Sequence, residues 1–199
     1  MKKRTVLIAA LLALAALAHA LPLASEYRVR RGDSHVTFTI TKWSVFKEQG
    51  RFREFAGAIA YDRENPAASR VDFTVQAASI DTQNEDRDGT LRSDAFFDVA
   101  RYPTLTFRST SVAARAGGVL DVTGDLTIRG VTKRITIPVR VLGVTHIPQE
   151  GDMAGFETSF TLNRMDYGVR GGQYWSSGDA VLSHQVSVSV VVGAQSSGT

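Results

Sequence analysis

Hydrophobic and polar residues alternate along most of the chain after residue 24. Val36, Phe38 and Ile40 alternate with threonines, and the same period of two recurs at 71–75, 120–128, 135–141, 156–162 and 186–192. This period is typical of strands with one buried face, and the many β-branched residues favour strands as well. Segments 52–61 and 105–112 show a weaker alternation, so the sequence predicts about eight strands.

Short links join several of the predicted strands. Residues 116–118 (Ala-Gly-Gly) and 129–130 (Arg-Gly) are turn sequences between two apolar runs. Links this short connect antiparallel neighbours, because parallel strands need a long crossover. An antiparallel sheet of about eight strands with one apolar face either closes into a barrel or packs as a sandwich, and the period alone leaves both open.

The first twenty residues have the features of a secretory signal peptide. Lys2, Lys3 and Arg4 precede the apolar run 6–18, which is shorter than the ~20 residues of a membrane span. Ala18-His19-Ala20 is a suitable cleavage site. The sequence therefore predicts a signal peptide at 1–20, a single domain at 21–199, and a periplasmic or secreted protein.

Composition narrows the functional classes. Without the three basic leader residues, the positive charges equal the 20 acidic ones, so we expect no nucleic-acid partner. The chain has no cysteine, which excludes disulfides and thiolate metal sites and fits a bacterial envelope. His35, His146 and His184 are far apart in sequence, and neither H-E-x-x-H nor G-x-S-x-G occurs. We therefore expect no catalytic residues, no metal and no cofactor, and we expect His35 to be buried.

The charged segment 81–98 interrupts the strand pattern. It contains several acidic and basic residues and ends in Ala95-Phe96-Phe97. The pattern predicts a short helical stretch whose apolar residues close one side of the barrel, with Ser93 or Asp94 capping its last turn. We interpret its charges as a salt-bridged loop and not as a catalytic cluster.

Four motifs, in order along the chain, carry a family resemblance. They are residues 33–38 (DSHVTF), 50–57 (GRFREFAG), 80–107 with its IDT, RD, LRS, FFD and YP elements, and 124–133 (GDLTIRGVTK); residues 162–168 (LNRMDYG) add a weaker match. The chain thereby resembles the YceI-like family of bacterial envelope proteins, known as polyisoprenoid-binding, over roughly residues 27–192. One position departs from the family: Lys42-Trp43 stands where the first strand usually runs into a histidine.

The resemblance implies an all-β, lipocalin-like barrel of eight antiparallel strands around a long hydrophobic lumen. It also implies non-catalytic binding of an isoprenoid lipid, such as a quinone tail or a polyprenyl chain. Trp43 and Phe46 are expected at the barrel mouth, where transient contact with a membrane surface is possible, and a homodimer through an edge or the mouth stays open. The residues that we predict to line the lumen, or alternatively to pack the barrel shut, are Phe38, Ile40, Trp43, Phe52, Phe55, Phe73, Val75, Phe107, Leu126, Ile128, Phe160 and Leu162.

Two rival functions remain at this point. Tyr174-Trp175, in a glycine-containing loop, could stack on a sugar if the sheet packs as a carbohydrate- or protein-binding sandwich. An envelope hydrolase is less favoured, because no catalytic motif is present. The volume enclosed by the sheet discriminates these functions, since a sandwich has a filled core and a lipid carrier has a tunnel.

Overall fold

The computed structural model describes residues 24–171 and 181–196, so the predicted signal peptide and Tyr174-Trp175 lie outside the described residues. Within them the chain forms ten β-strands, one α-helix and three short 3-10 turns. The helix is α1 (Glu85–Arg92), and the 3-10 turns are Pro66–Ala68, Ala77–Ser79 and Arg164–Tyr167. The strands are β1 (Ser25–Lys42), β2 (Phe46–Phe52), β3 (Phe55–Tyr61), β4 (Arg70–Gln76), β5 (Ile80–Asp81), β6 (Thr104–Arg115), β7 (Val119–Ile128), β8 (Val131–Ile147), β9 (Gly151–Asn163) and β10 (Leu182–Ser196).

Eight of the strands close into an antiparallel barrel in the order β1-β3-β4-β6-β7-β8-β9-β10, because β10 also pairs with β1. This confirms the predicted barrel and excludes the sandwich. The two extra strands form a flap at one end, where β2 continues the hairpin from β1 and β5 pairs with β2. Strands β2 and β3 are separated only by Arg53 and Glu54, so the strand predicted at 52–61 is in fact the end of one strand and the whole of another.

The first strand changes partner along its length. On one side, its first residues pair with β3 and its last residues pair with β2. On the other side it pairs with β10, and the register of that pairing shifts between Arg30 and His35. Ser34 is buried at this irregularity, where its Oγ donates to Arg30 O at 2.7 Å and accepts from Gly193 N at 3.0 Å. The prediction that His35 is buried is wrong, because the irregularity turns Ser34 inward and leaves His35 exposed.

Two predicted hairpins are confirmed by their backbone conformation. Arg129 and Gly130 both have positive φ (51° and 73°), as do Gly117 and Gly118 (78° and 72°). A two-residue turn with positive φ at both central residues matches the twist of an antiparallel strand pair. These turns join β7 to β8 and β6 to β7.

The charged segment folds into α1, as its composition predicts. Asn84 caps the first turn by accepting a hydrogen bond from Arg87 N at 2.9 Å, and Ser93 ends the helix, its Oγ donating to Thr90 O at 2.7 Å. Asp88 is buried and accepts from both the backbone N and the Oγ1 of Thr82. The helix is thereby fixed to the chain that leads into it, beside the flap.

Candidate ligand-binding lumen

The barrel encloses a cavity of about 560 Å³, which we call the lumen. This volume lies within the range of about 300–1,000 Å³ that is usual for small-molecule sites. The lumen is lined mostly by the inward faces of the strands, because alternate residues of a strand point to opposite faces of the sheet. An eight-stranded barrel can be filled by its own side chains, and this one is not.

Ten of the twelve residues predicted for the lumen lie on its wall, and two lie elsewhere. Phe55 is buried without lining the lumen and is stacked on Phe73 with ring centroids 5.8 Å apart. Trp43 lies in the turn between β1 and β2 with 46% of its surface exposed. That the wall residues contact a ligand stays a prediction; they are Phe38, Ile40, Phe52, Phe73, Val75, Phe107, Leu126, Ile128, Phe160 and Leu162.

Glycines in the inward register let several phenylalanine rings lie close against the wall. Gly57 on β3 pairs with Phe73 on the neighbouring strand β4, and a Cβ on Gly57 would lie 2.7 Å from Phe73 Cδ2. A Cβ on Gly50 would overlap the ring of its cross-strand partner Phe38. Each ring thus occupies the space above a glycine, which leaves the centre of the barrel open.

A polar rim lies at one end of the lumen, which we call the mouth and define by the β1–β2 turn, α1 and the start of β10. Lys42, Glu48, Thr82 and Arg87 all line the cavity here. The Arg87 guanidinium pairs with Glu48 Oε2 at 2.6 Å and donates to Thr82 Oγ1 at 2.7 Å and to Thr82 O at 2.8 Å. Lys42 shares the inward parity of Phe38 and Ile40, a signal in the sequence that our prediction did not use.

Arg164 organises the opposite side of the mouth, and sequence reasoning missed it. Its side chain is buried on the cavity wall and donates to the carbonyl oxygens of Val169 (2.7 Å), Gly171 (2.8 Å) and Ser183 (2.9 Å). A guanidinium suits this role because it presents five donors in a fixed plane. It therefore holds the segment after β9 against the first residues of β10.

The flap is fixed by a second charged cluster. Asp81 on β5 accepts hydrogen bonds from Arg51 Nε at 2.7 Å and Arg53 Nε at 2.9 Å, and from the backbone N of Gln83. These contacts, of which the one from Arg51 is the strongest, lower the pKa of Asp81 to about 2. The carboxylate is therefore ionised at neutral pH and holds β5 on β2.

Two features typical of other protein classes are absent from the part of the chain that the structure describes. In residues 24–171 and 181–196, no helix is long and apolar enough to cross a membrane. The same residues hold no cluster of three or more His, Asp or Glu side chains suited to a metal ion. His146 pairs with Asp152 at 2.8 Å on the exposed surface, beside the turn that joins β8 to β9, whereas Arg164 at the mouth follows the other end of β9.

Comparison with known proteins identifies the family. The YceI-like domain matches residues 27–194, which is most of the chain. The chain belongs to the YceI-like family. A UPF0312 protein of Pseudomonas paraeruginosa is 39% identical to this YceI-like chain over 150 residues, covering 74% of this chain and 78% of the relative.

Solved structures share the fold of this YceI-like protein. BcnA of Burkholderia cenocepacia superimposes with a TM-score of 0.74 at 22% identity, over 83% of this chain and 98% of BcnA. A polyisoprenoid-binding domain from Saccharophagus degradans, implicated in plant cell wall breakdown, superimposes with a TM-score of 0.62 at 20% identity, over 87% and 99%. Identities this low establish a common barrel and nothing more.

Proposed function

We propose that this YceI-like protein binds a long apolar lipid in its lumen, without catalysis, in the bacterial envelope. The lumen carries the proposal: about 560 Å³ of space is enclosed by a wall of apolar side chains inside a barrel that its own residues do not fill. An isoprenoid chain is the lipid class we favour, because the Saccharophagus degradans domain of the same fold is a polyisoprenoid-binding domain.

Affinity for such a chain follows from apolar burial. Each methylene removed from water contributes about 0.8 kcal/mol, so one five-carbon isoprene unit contributes roughly 4 kcal/mol before losses. Ordering a flexible chain offsets part of this gain. A few units in the lumen are therefore sufficient, and only the headgroup needs polar contacts, which the mouth offers through Lys42 and the Glu48–Arg87 pair.

The envelope location rests on the N-terminal sequence. Basic residues, an apolar run and Ala18-His19-Ala20 together form a secretory signal. We expect protein recovered from a bacterial periplasm to begin at Leu21, which its intact mass measures directly. A periplasmic protein that keeps residues 1–20, or a protein confined to the cytoplasm, would contradict the proposed export.

Mass spectrometry of the organic extract tests whether the lumen holds a lipid. The protein is expressed with its own leader, purified from the periplasm, and extracted beside a Val188→Lys variant that carries a charge on the cavity wall. We expect a stoichiometric polyprenyl or quinone species from the wild type and none from the folded variant. An empty extract from folded wild-type protein, or the same lipid from both, would refute lipid binding in the lumen.

A further inference from the structure

The tip of the β1–β2 hairpin is the most apolar exposed surface that the described residues form. We define the tip as residues 43–46. Across residues 24–171 and 181–196, six large hydrophobic side chains are exposed, and three of them are here: Trp43 (46%), Val45 (73%) and Phe46 (59%). Contiguous exposed apolar groups of this kind mark sites that contact a partner or a membrane.

The tip is held in a backbone conformation that its residues do not favour. Trp43 and Ser44 both have positive φ (52° and 59°), which is uncommon for residues with a side chain. The conformation is kept by hydrogen bonds from Trp43 N to Val181 O (2.8 Å) and from Val45 N to Lys42 O (3.2 Å). Trp43 keeps 46% of its surface exposed in this conformation, so the strained turn holds part of the indole outside instead of packing it fully.

Positive charge surrounds the apolar tip. Lys42 Nζ lies 4.2 Å from the centre of the Trp43 ring, and Lys47 is exposed on the adjoining residue of β2. The next charge along β2, Glu48, is paired with Arg87 at 2.6 Å. The tip thus combines an aromatic pair, with ring centroids 6.1 Å apart, and two lysines without a nearby unpaired acid on the same hairpin.

We propose that this tip docks on the surface of an anionic lipid bilayer. Indole and phenyl rings favour the interface between headgroups and acyl chains, and lysines are attracted to anionic lipid headgroups. Lys42 belongs both to the tip's surroundings and to the lumen wall, so docking places the mouth against the bilayer. An apolar cargo then passes between bilayer and lumen without crossing water, a role that rests on the proposed lipid binding.

Vesicle co-sedimentation tests the docking. The wild type is compared with a triple variant of the tip, Trp43→Ser, Val45→Ser and Phe46→Ser, on vesicles of phosphatidylethanolamine and phosphatidylglycerol. A matched control, Leu142→Ser with Val144→Ser, removes two exposed hydrophobic residues from the end of β8, at the opposite end of the barrel. We expect the tip variant to partition more than about tenfold more weakly and the control to bind as the wild type does.

A variant that removes one positive charge beside the tip tests the electrostatic part of vesicle binding separately. Lys47→Gln should weaken binding to the anionic vesicles about fivefold and leave the weaker binding to phosphatidylcholine vesicles unchanged. Equal binding by wild type and tip variant, or equal loss in tip variant and control, would overturn the proposal. So would a wild-type dimer that the tip variant converts to monomer, since a second copy would then cover the tip. Lipid in the wild-type extract reports on the lumen alone, so either proposal can fail without the other.

Discussion

A lysine inside the lumen should make the affinity for an apolar chain depend steeply on pH. Val188, at the middle of β10, lines the cavity and pairs with Phe38 on β1 and with Phe160 on β9. Ser187, the preceding residue, is exposed on the outer face. Val188→Lys and Ser187→Lys therefore place the same charge on the same strand, one inside the barrel and one outside.

The size of the effect follows from the free energy of deprotonation. In an empty, hydrated lumen the new lysine keeps a pKa of about 10.4. A bound apolar chain displaces the water, and the lysine is then accommodated in its neutral form. Neutralising it at pH 7 costs about 1.36 kcal/mol for each of about 3.4 pH units, or roughly 4.6 kcal/mol, a loss of affinity of about 2,500-fold. Each unit of rising pH recovers about tenfold.

Fluorescence titration of delipidated protein with a labelled polyprenyl chain, from about pH 7 to about pH 9.5, measures this dependence. Burial raises the pKa of Tyr27 and of Tyr167 above the ordinary value of 10.0, so neither tyrosine ionises in this range. Wild type and Ser187→Lys should show no slope. Binding by folded Val188→Lys at pH 7 as tight as that of the wild type, or a loss of affinity that does not change with pH, would contradict a cost of deprotonation inside the lumen.

Three further changes test other parts of the structure. Gly50→Ala should push the Phe38 ring into the lumen and shift the extracted lipids to shorter or narrower chains, whereas Gly32→Ala, whose Cβ would meet no atom within 4 Å, should not. Asp81 is ionised in the fold down to about pH 2, so its stabilisation is complete above about pH 4 and is lost as the pH falls between these values. Asp81→Asn should therefore melt at a lower temperature at pH 7 and lose less of its stability on acidification; a wild-type slope in the variant would contradict this. Arg164→Lys should speed hydrogen exchange at the mouth by more than about tenfold, because each lost bond from a charged donor removes at least about 1.5 kcal/mol; uniform acceleration throughout the barrel would indicate general destabilisation instead.

The sequence predicts which residues face inward wherever a strand is regular. Phe73 and Phe160 lie in regular runs of alternating residues, Phe107 lies in the regular first part of a weaker run, and all three are on the lumen wall. Trp43 lies in a turn whose positive φ ends the alternation. Phe55 has the same parity as Ile59, which lines the lumen, but it is buried and stacked on Phe73 without lining the lumen itself. Period alone therefore predicts the face on which a residue lies, but neither where a strand ends nor which inward side chain reaches the open space.

Features that depend on contacts between residues far apart in the sequence could not be predicted from the alternation of hydrophobic and polar residues. The pairing of β1 with three strands, the burial of Ser34 instead of His35, and the carbonyl contacts of Arg164 all arise from chain segments brought together by barrel closure. Nothing in the sequence distinguishes Arg164 from an ordinary surface arginine, and its place on the cavity wall follows from strand ends that meet only in the closed barrel. Lys42 differs, because its inward parity with Phe38 and Ile40 was available in the sequence.

The pairing of β1 with β10 also determines when in folding the barrel can close. The last junction of the barrel joins segments that are 159 residues apart, as in the contact of Ser34 with Gly193. Contacts of such long range form late and slowly. Until β10 is available to pair with both β9 and β1, the barrel is open and there is no enclosed space. Loading of the proposed lipid must therefore follow completion of the chain, and a variant that ends before β10 is expected to retain no lipid.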